Sequence, residues 1–264
     1  MKIDLTKAKV IYKKSIEGAV DYAKEVASRL NCKYSSLDDL PEEASLLIVM
    51  GGDGTLLRCA RHASKFDIPV FGFNMGRLGF LAQAGLMEID DVIKKLEAGD
   101  FRVEERLMLA DLSGNIALND IVIKSSNCAK TSSLELKING KQVCSYLADG
   151  LIIATPTGST AYNLSAGGAV IAPEIECITI VPICAHTLNA RPLVVSAEDT
   201  IEVKFHLPSE FQMISDGQLI SSHKNSAIIK KHNKKAKLLL LNSEHKEFYD
   251  ILRDKLHWGV APRA

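Results

Sequence analysis

Apolar residues recur along the first hundred positions with two alternating rhythms. Ile16, Ala19, Val20, Ala23, Val26, Ala27 and Leu30 fall on one face at helical spacing, with Glu17, Asp21, Lys24 and Arg29 mostly elsewhere, which predicts a core-facing helix. A short strand is predicted ahead of it, over residues 8–12. Residues 45–50 (SLLIVM) form a continuous apolar run, the pattern of a strand buried on both faces of a parallel sheet. The same reasoning predicts a helix over 55–64, a second buried strand over 68–73 and a helix over 88–97 closed by Gly99. Strand alternating with helix implies an α/β domain with a doubly wound, mostly parallel sheet.

From about residue 101 the rhythm shortens and tight turns replace helical repeats. Residues 134–138 alternate, Asn139-Gly140 is a strong two-residue hairpin signal, and residues 141–146 return. Further strands are predicted over 151–154, 178–183, 201–205, 212–215 and 227–231, so this half reads as all-β. Residues 248–256 read again as a helix. The expected division is an α/β domain over 1–100, a β domain over 101–235, and a segment over 236–264 that returns to the first domain.

Composition narrows the classes. The 264 residues are 47% hydrophobic and 24% charged, ordinary for a globular protein, and Lys plus Arg balances Asp plus Glu at 32 each. No global positive field invites nucleic acid or an anionic membrane. The opening residues lack the apolar core of a signal peptide and no apolar run is long enough to span a bilayer, so a cytoplasmic setting is expected. The six cysteines are far apart, without C-x-x-C spacing, and read as reduced thiols. The seven histidines form no H-E-x-x-H or H-x-x-x-H pair, which leaves a zinc hydrolase without ligands. G-x-S-x-G is absent, as is the phosphate loop G-x-x-x-x-G-K-[ST], and the G-x-G at Gly52 lacks its third glycine.

Three segments carry candidate chemistry. Gly51-Gly52-Asp53-Gly54-Thr55 follows a buried strand and precedes a helix, where ligands of open α/β sheets bind. Glycines there let backbone amides approach a phosphate or ribose, and Asp53 can act as general base, bind a hydroxyl or hold magnesium. The plain alternative is a turn in which Asp53 caps a helix beginning at Thr55; the clustering of turn residues after SLLIVM favours the site. Residues 149–168 (DGLIIATPTGSTAYNLSAGG) run from a strand into a loop dense in hydroxyls and glycine, with Tyr162 as an aromatic face for a ring-bearing ligand. Its plain alternative is a hydroxyl-rich turn bonding its own backbone. Asn119-Asp120, between apolar runs, can recognise an adenine edge or ribose hydroxyls, though a turn between strands needs the same residue types.

Taken together these pieces resemble the NAD kinases, over nearly the whole chain and in family order: GGDGT at 51–55, NMGRLGFL at 74–81, ALND at 117–120, the long DG…TPTGSTAY…SAGG segment at 149–168, and DGQ at 216–218. GGDG alone is shared with diacylglycerol-type lipid kinases and 6-phosphofructokinases; the long segment is more specific. The resemblance implies phosphorylation of the 2′-hydroxyl of the adenosine ribose of NAD, an α/β domain followed by a β-sandwich-like domain with NAD held between them, and a homo-oligomer, dimer or tetramer. It implies Asp53 as general base, and NAD contacts from Gly54, Phe80, Asn119, Asp120, Asp149, Thr157, Thr160, Ala161, Tyr162, Ser165 and Gln218, with Arg58 and Lys130 at positions where a basic residue is frequent. Mg2+ with ATP or polyphosphate as donor is implied, with no dedicated metal ligands. Ala185 and His257 depart from the family's usual proline and glycine. Two rival readings are a non-catalytic NADP-binding sensor and a lipid or sugar kinase of the same superfamily.

Overall fold

The computed structural model describes residues 3–76, 79–126, 131–187, 189–205, 210–242 and 248–256. It resolves into two compact units, Met1–Glu105 with Lys237–Ala264, and Arg106–Ala236.

The first unit is built on a seven-stranded sheet running Lys33–Ser36, Lys9–Tyr12, Leu47–Gly51, Val70–Asn74, Ala236–Leu241 and Phe101–Arg106, with the short Ala84–Gly85 also paired to Val70–Asn74. Its central pairings are parallel. Every residue of Leu47–Gly51 and Val70–Asn74 is buried, which is why these strands are apolar runs rather than alternating ones. Helix Ala19–Arg29 buries Ala19, Ala23, Val26 and Ala27, and the small alanines let it lie close on the sheet. Helix Ile89–Ala98 buries Ile89, Val92, Ile93 and Leu96. It ends where Gly99 turns left-handed at φ 72°, a conformation that costs glycine little.

The second unit consists of two six-stranded sheets. One runs Lys141–Ala148, Ser132–Ile138, Ile201–Phe205, Ser226–Lys231, Leu109–Asp111 and Ile116–Ala117; the other runs Leu193–Ser196, Cys177–Ile183, Gly150–Ala154, Asp120–Ser125, Glu210–Ser215 and Leu219–Lys224. Leu134, Leu136, Val203 and Ile229 of the first sheet share one core with Ile121, Ile123, Leu151, Ile153, Ile178 and Ile180 of the second, so the unit is a sandwich. Phe205 and Phe211 stack across it at 4.7 Å. The hairpin at Asn139-Gly140 has both residues at positive φ, 50° and 79°, as a two-residue turn between twisted strands requires.

Because side chains alternate along a strand, the second sheet also has an outer face. There Val122, Ile152, Ala154, Val181 and Ile183 form a small separate cluster, with Ala166 and Ile214 packed on it.

Several strands lie beyond what the pattern predicts. Lys33–Ser36 and Leu219–Lys224 are sheet edges with exposed residues, so they show no clear apolar alternation. Ala236–Leu241 ends in four consecutive leucines, Leu238 to Leu241, the apolar run of a parallel strand, and in the structure it inserts between Val70–Asn74 and Phe101–Arg106.

Candidate functional site

The strand Leu47–Gly51 delivers the chain to a sharp turn, where a Cβ on Gly51 would stand 2.7 Å from the Thr55 hydroxyl. The following helix spans Asp53–Lys65 with Gly52 as its N-cap, so it starts two residues earlier than expected. Asp53 does not cap it. Its carboxylate turns away and accepts hydrogen bonds from three consecutive backbone amides: Phe80 N at 2.7 Å, Leu81 N at 3.3 Å and Ala82 N at 3.4 Å. The helix-cap alternative therefore gives way to a different structural task, clamping the segment 79–82 against the turn. The approach is so close that a Cβ on Gly79 would lie 1.7 Å from the Asp53 Oδ1. An ionised carboxylate has about four lone-pair sites, so three amides leave it room to accept one more hydrogen bond. Gly54 is exposed beside it and Phe80 is half-buried. Arg58 points to solvent and pairs with Asp38 at 3.5 Å, an exposed contact of little energetic weight.

In the second unit a matching device appears. Asp216, at the hairpin between Glu210–Ser215 and Leu219–Lys224, accepts from Leu118 N at 3.1 Å, Asn119 N at 2.7 Å and Asp120 N at 3.3 Å. Its own amide donates to the Asp120 carbonyl at 2.9 Å. Asp216 thus holds the Asn119-Asp120 turn, a role that sequence reasoning missed. The available signal was Asp216-Gly217 itself, whose positive φ values of 50° and 65° are those of an Asp-Gly hairpin turn. Gln218 lies exposed on the same hairpin.

Asp120 is only 4% exposed and its carboxyl is pushed up to about 7, first by burial and then by the neighbouring Asp216 charge. In the unfolded chain the group ionises near its ordinary 3.8. Between those two values the folded state binds more protons, so the stability contributed is full below about pH 4 and is lost as pH rises through 7. Asp120→Asn cannot ionise. At pH 8 it is expected to exceed the parent in stability by on the order of 1–3 kcal/mol, with the advantage vanishing toward pH 4. Thermal unfolding across that pH series checks this, and parallel curves for the two proteins would show that another group is responsible.

The hydroxyl-rich segment divides into two faces. Thr155 donates its hydroxyl to the Leu118 carbonyl at 2.6 Å and accepts from Gly158 N at 3.0 Å. Ser159 bonds the amide and carbonyl of Ile171. The fully buried Asn163 donates to the Ser159 and Ala169 carbonyls and accepts from the Thr179 hydroxyl at 2.8 Å. For these residues the self-bonding turn is the right description. Thr157 is also buried. Thr160 and Ala161 are half-buried, while Tyr162 and Ser165 are exposed; these form the accessible side of the loop. Tyr162 meets Lys124, whose Nζ lies 3.4 Å from the phenol oxygen and 5.3 Å from the ring centroid. Lys124 is a second residue that sequence reasoning passed over.

The loop sits directly on the Asn119 turn: Thr155 N donates to the Asn119 carbonyl at 2.9 Å, and a Cβ on Gly158 would stand 2.0 Å from that same oxygen. Thr155 and Gly158 are thereby brought beside Asn119. Asp149 is exposed at the opposite end of strand Gly150–Ala154, next to Ile183 and near Lys124 rather than Asp120. Lys130 lies outside the described residues. Among the described residues no three His, Cys, Asp or Glu side chains gather as a metal site.

Comparison with known proteins meets this geometry at the family level. Residues 6–101 match the ATP-NAD kinase N-terminal domain and residues 118–240 the ATP-NAD kinase C-terminal domain. An NAD kinase of Geotalea daltonii is 38% identical over 244 residues, 89% of this chain and 86% of that protein. One of Nitrosomonas europaea is 40% identical over 242 residues, 87% of this chain and 81% of its own. Among solved structures, an NAD kinase from Archaeoglobus fulgidus in complex with ATP superposes with a TM-score of 0.78 at 31% identity, over 90% of this chain and 94% of that one. Yeast NADH kinase complexed with NADH has the same TM-score, 0.78, at 23% identity, a likeness of fold. Two domain matches in the right order, together with relatives aligned over most of both chains, establish that the chain belongs to the NAD kinase family.

Proposed function

We propose that the chain transfers the terminal phosphoryl group of ATP, or of inorganic polyphosphate, to the 2′-hydroxyl of the adenosine ribose of NAD, giving NADP. The observation that carries the reading is the Asp53 carboxylate, held in one orientation by the amides of residues 80–82 at the carboxyl end of a parallel strand, with acceptor capacity to spare. In this reading Asp53 takes the hydroxyl proton as the new O–P bond forms and the bond to the leaving phosphate breaks. Protein groups mainly position the reactants in such transfers and offset the charge that develops.

The nucleotide contacts fall to Asn119, Asp120, Thr160, Ala161, Tyr162, Ser165 and Gln218, with Gly54 and Phe80 beside Asp53. What supports this is that Thr155, Ser159 and Asn163 are buried and fasten the loop, Thr155 to Leu118 and Asn119, which leaves Thr160, Ala161, Tyr162 and Ser165 on its accessible side. Thr157, which is buried, and Asp149, at the Lys124 end of its strand, are proposed contacts as well, as are Arg58 and Lys130. A magnesium ion would accompany the donor, held by its phosphate oxygens and water. When bound it would neutralise charge on those phosphates. A cytoplasmic setting and assembly as a homo-oligomer complete the reading.

A coupled assay tests the reading: purified protein, NAD and magnesium with ATP or polyphosphate, NADP being read out by an NADP-specific dehydrogenase. NADP with either donor is expected. Folded protein that binds NAD yet makes no NADP with either donor would replace the kinase by a dinucleotide sensor.

A further inference from the structure

We infer that Lys255, on the C-terminal helix Phe248–Leu256, supplies the cation that meets the donor's transferred phosphate beside Asp53. The inference rests on the reading of Asp53 as the base, and it adds a residue that the sequence motifs do not contain.

Within the first unit the helix lays the Lys255 ammonium over the ring of Phe80, 5.1 Å from its centroid. The amide of that same Phe80 donates to Asp53 at 2.7 Å. One residue therefore carries the lysine on its ring and the carboxylate on its backbone. Lys255 is half-buried and forms no ion pair among the described residues, in contrast to Arg58, which is already paired with Asp38. A cation over an aromatic face is held in place without having its charge cancelled.

The chemistry needs such a charge. Bringing a polyanionic phosphate to a hydroxyl that lies against a carboxylate sets like charges together, and a fixed cation offsets that repulsion most strongly where water is partly excluded. Lys255 and Asp53 already feel each other: burial lowers the lysine's pKa and the Asp53 charge acts against that fall. A bound phosphate would add to the stabilisation of the ammonium form.

The test uses the full chain, with inorganic tripolyphosphate in the presence of magnesium as probe and titration calorimetry as readout. Lys255→Met is expected to weaken tripolyphosphate binding about tenfold or more, Lys255→Arg to restore most of it, and NAD affinity to stay within about twofold in both. With ATP as donor, Lys255→Met should lower kcat or raise the donor KM by a similar factor while the KM for NAD holds. Undiminished tripolyphosphate binding in Lys255→Met, or none to the parent chain, overturns the inference. Equal loss of tripolyphosphate and NAD affinity, without rescue by arginine, also overturns it and makes Lys255 a packing residue for the 79–82 segment. None of these titrations requires turnover, so a parent chain that makes no NADP would count against Asp53 as base while leaving the lysine decided on its own evidence.

Discussion

Asp53→Asn is expected to lower the rate of NADP formation by about 10²–10⁴-fold, the usual contribution of a positioned general base. Asparagine keeps the shape of the side chain but cannot take the hydroxyl proton. It also turns one acceptor oxygen into an amide donor facing the backbone amides of residues 80–82. A cost of about 1–3 kcal/mol in stability should accompany the kinetic loss, because a donor with no acceptor replaces a charge-assisted bond. Steady-state kinetics, NAD titration and thermal unfolding on the same preparation separate the two effects. If kcat stays within about tenfold of the parent, or if NAD affinity falls as far as kcat, Asp53 is the clamp of segment 79–82 and not the base.

Gly158→Ala should be the most damaging single-methyl change in the second unit's site. Its Cβ would fall 2.0 Å from the Asn119 carbonyl oxygen, 2.4 Å from the carbonyl carbon and 2.7 Å from Cα, all backbone atoms that cannot rotate out of the way. Either the 155–160 loop lifts or the 118–120 turn moves, and the second is tied down by three bonds to Asp216. Overpacking of this kind costs about 1–3 kcal/mol. A shift of the loop that disperses Asn119, Thr160 and Ala161 should weaken NAD binding about tenfold, equivalent to about 1.4 kcal/mol. Calorimetry with NAD and thermal unfolding measure both. An alanine variant with parental melting temperature and parental affinity would mean that loop and turn do not pack as described.

Much of the architecture was legible because its causes are local. A continuous apolar run is what a strand covered on both faces must be, so SLLIVM announced Leu47–Gly51 to within two residues. Asn139-Gly140 and Gly99 announced a hairpin and a helix end because few residues adopt positive φ cheaply. Apolar pattern and turn signals together located most strands of the sandwich, while the exposed edges Lys33–Ser36 of the first unit's sheet and Leu219–Lys224 of the sandwich escaped because their residues are largely exposed. The candidate site was legible as a set of segments, from the turn residues at 51–55 and 117–120 and the hydroxyls of 155–165, and the family likeness followed from their order.

What each polar residue does could be decided only by the folded chain. Thr155, Ser159, Asn163, Thr160 and Tyr162 belong to one hydroxyl-rich stretch, yet the first three are buried fasteners and the last two line its accessible side, a distinction set by which face of the segment meets the sheet. Asp53 read as a site residue with a helix cap as its plain alternative, and nothing in the pattern around it announced that it gathers amides 27 to 29 residues away. Asp216 reaches back 96 to 98 residues to the Asn119 turn, and Lys255 comes to Phe80 from helix Phe248–Leu256, the last among the described residues. Periodicity and turn chemistry report the forces between near neighbours. Hydrogen bonds and charge contacts between distant residues depend on where the packed sheets bring their ends, and that placement exists only in three dimensions.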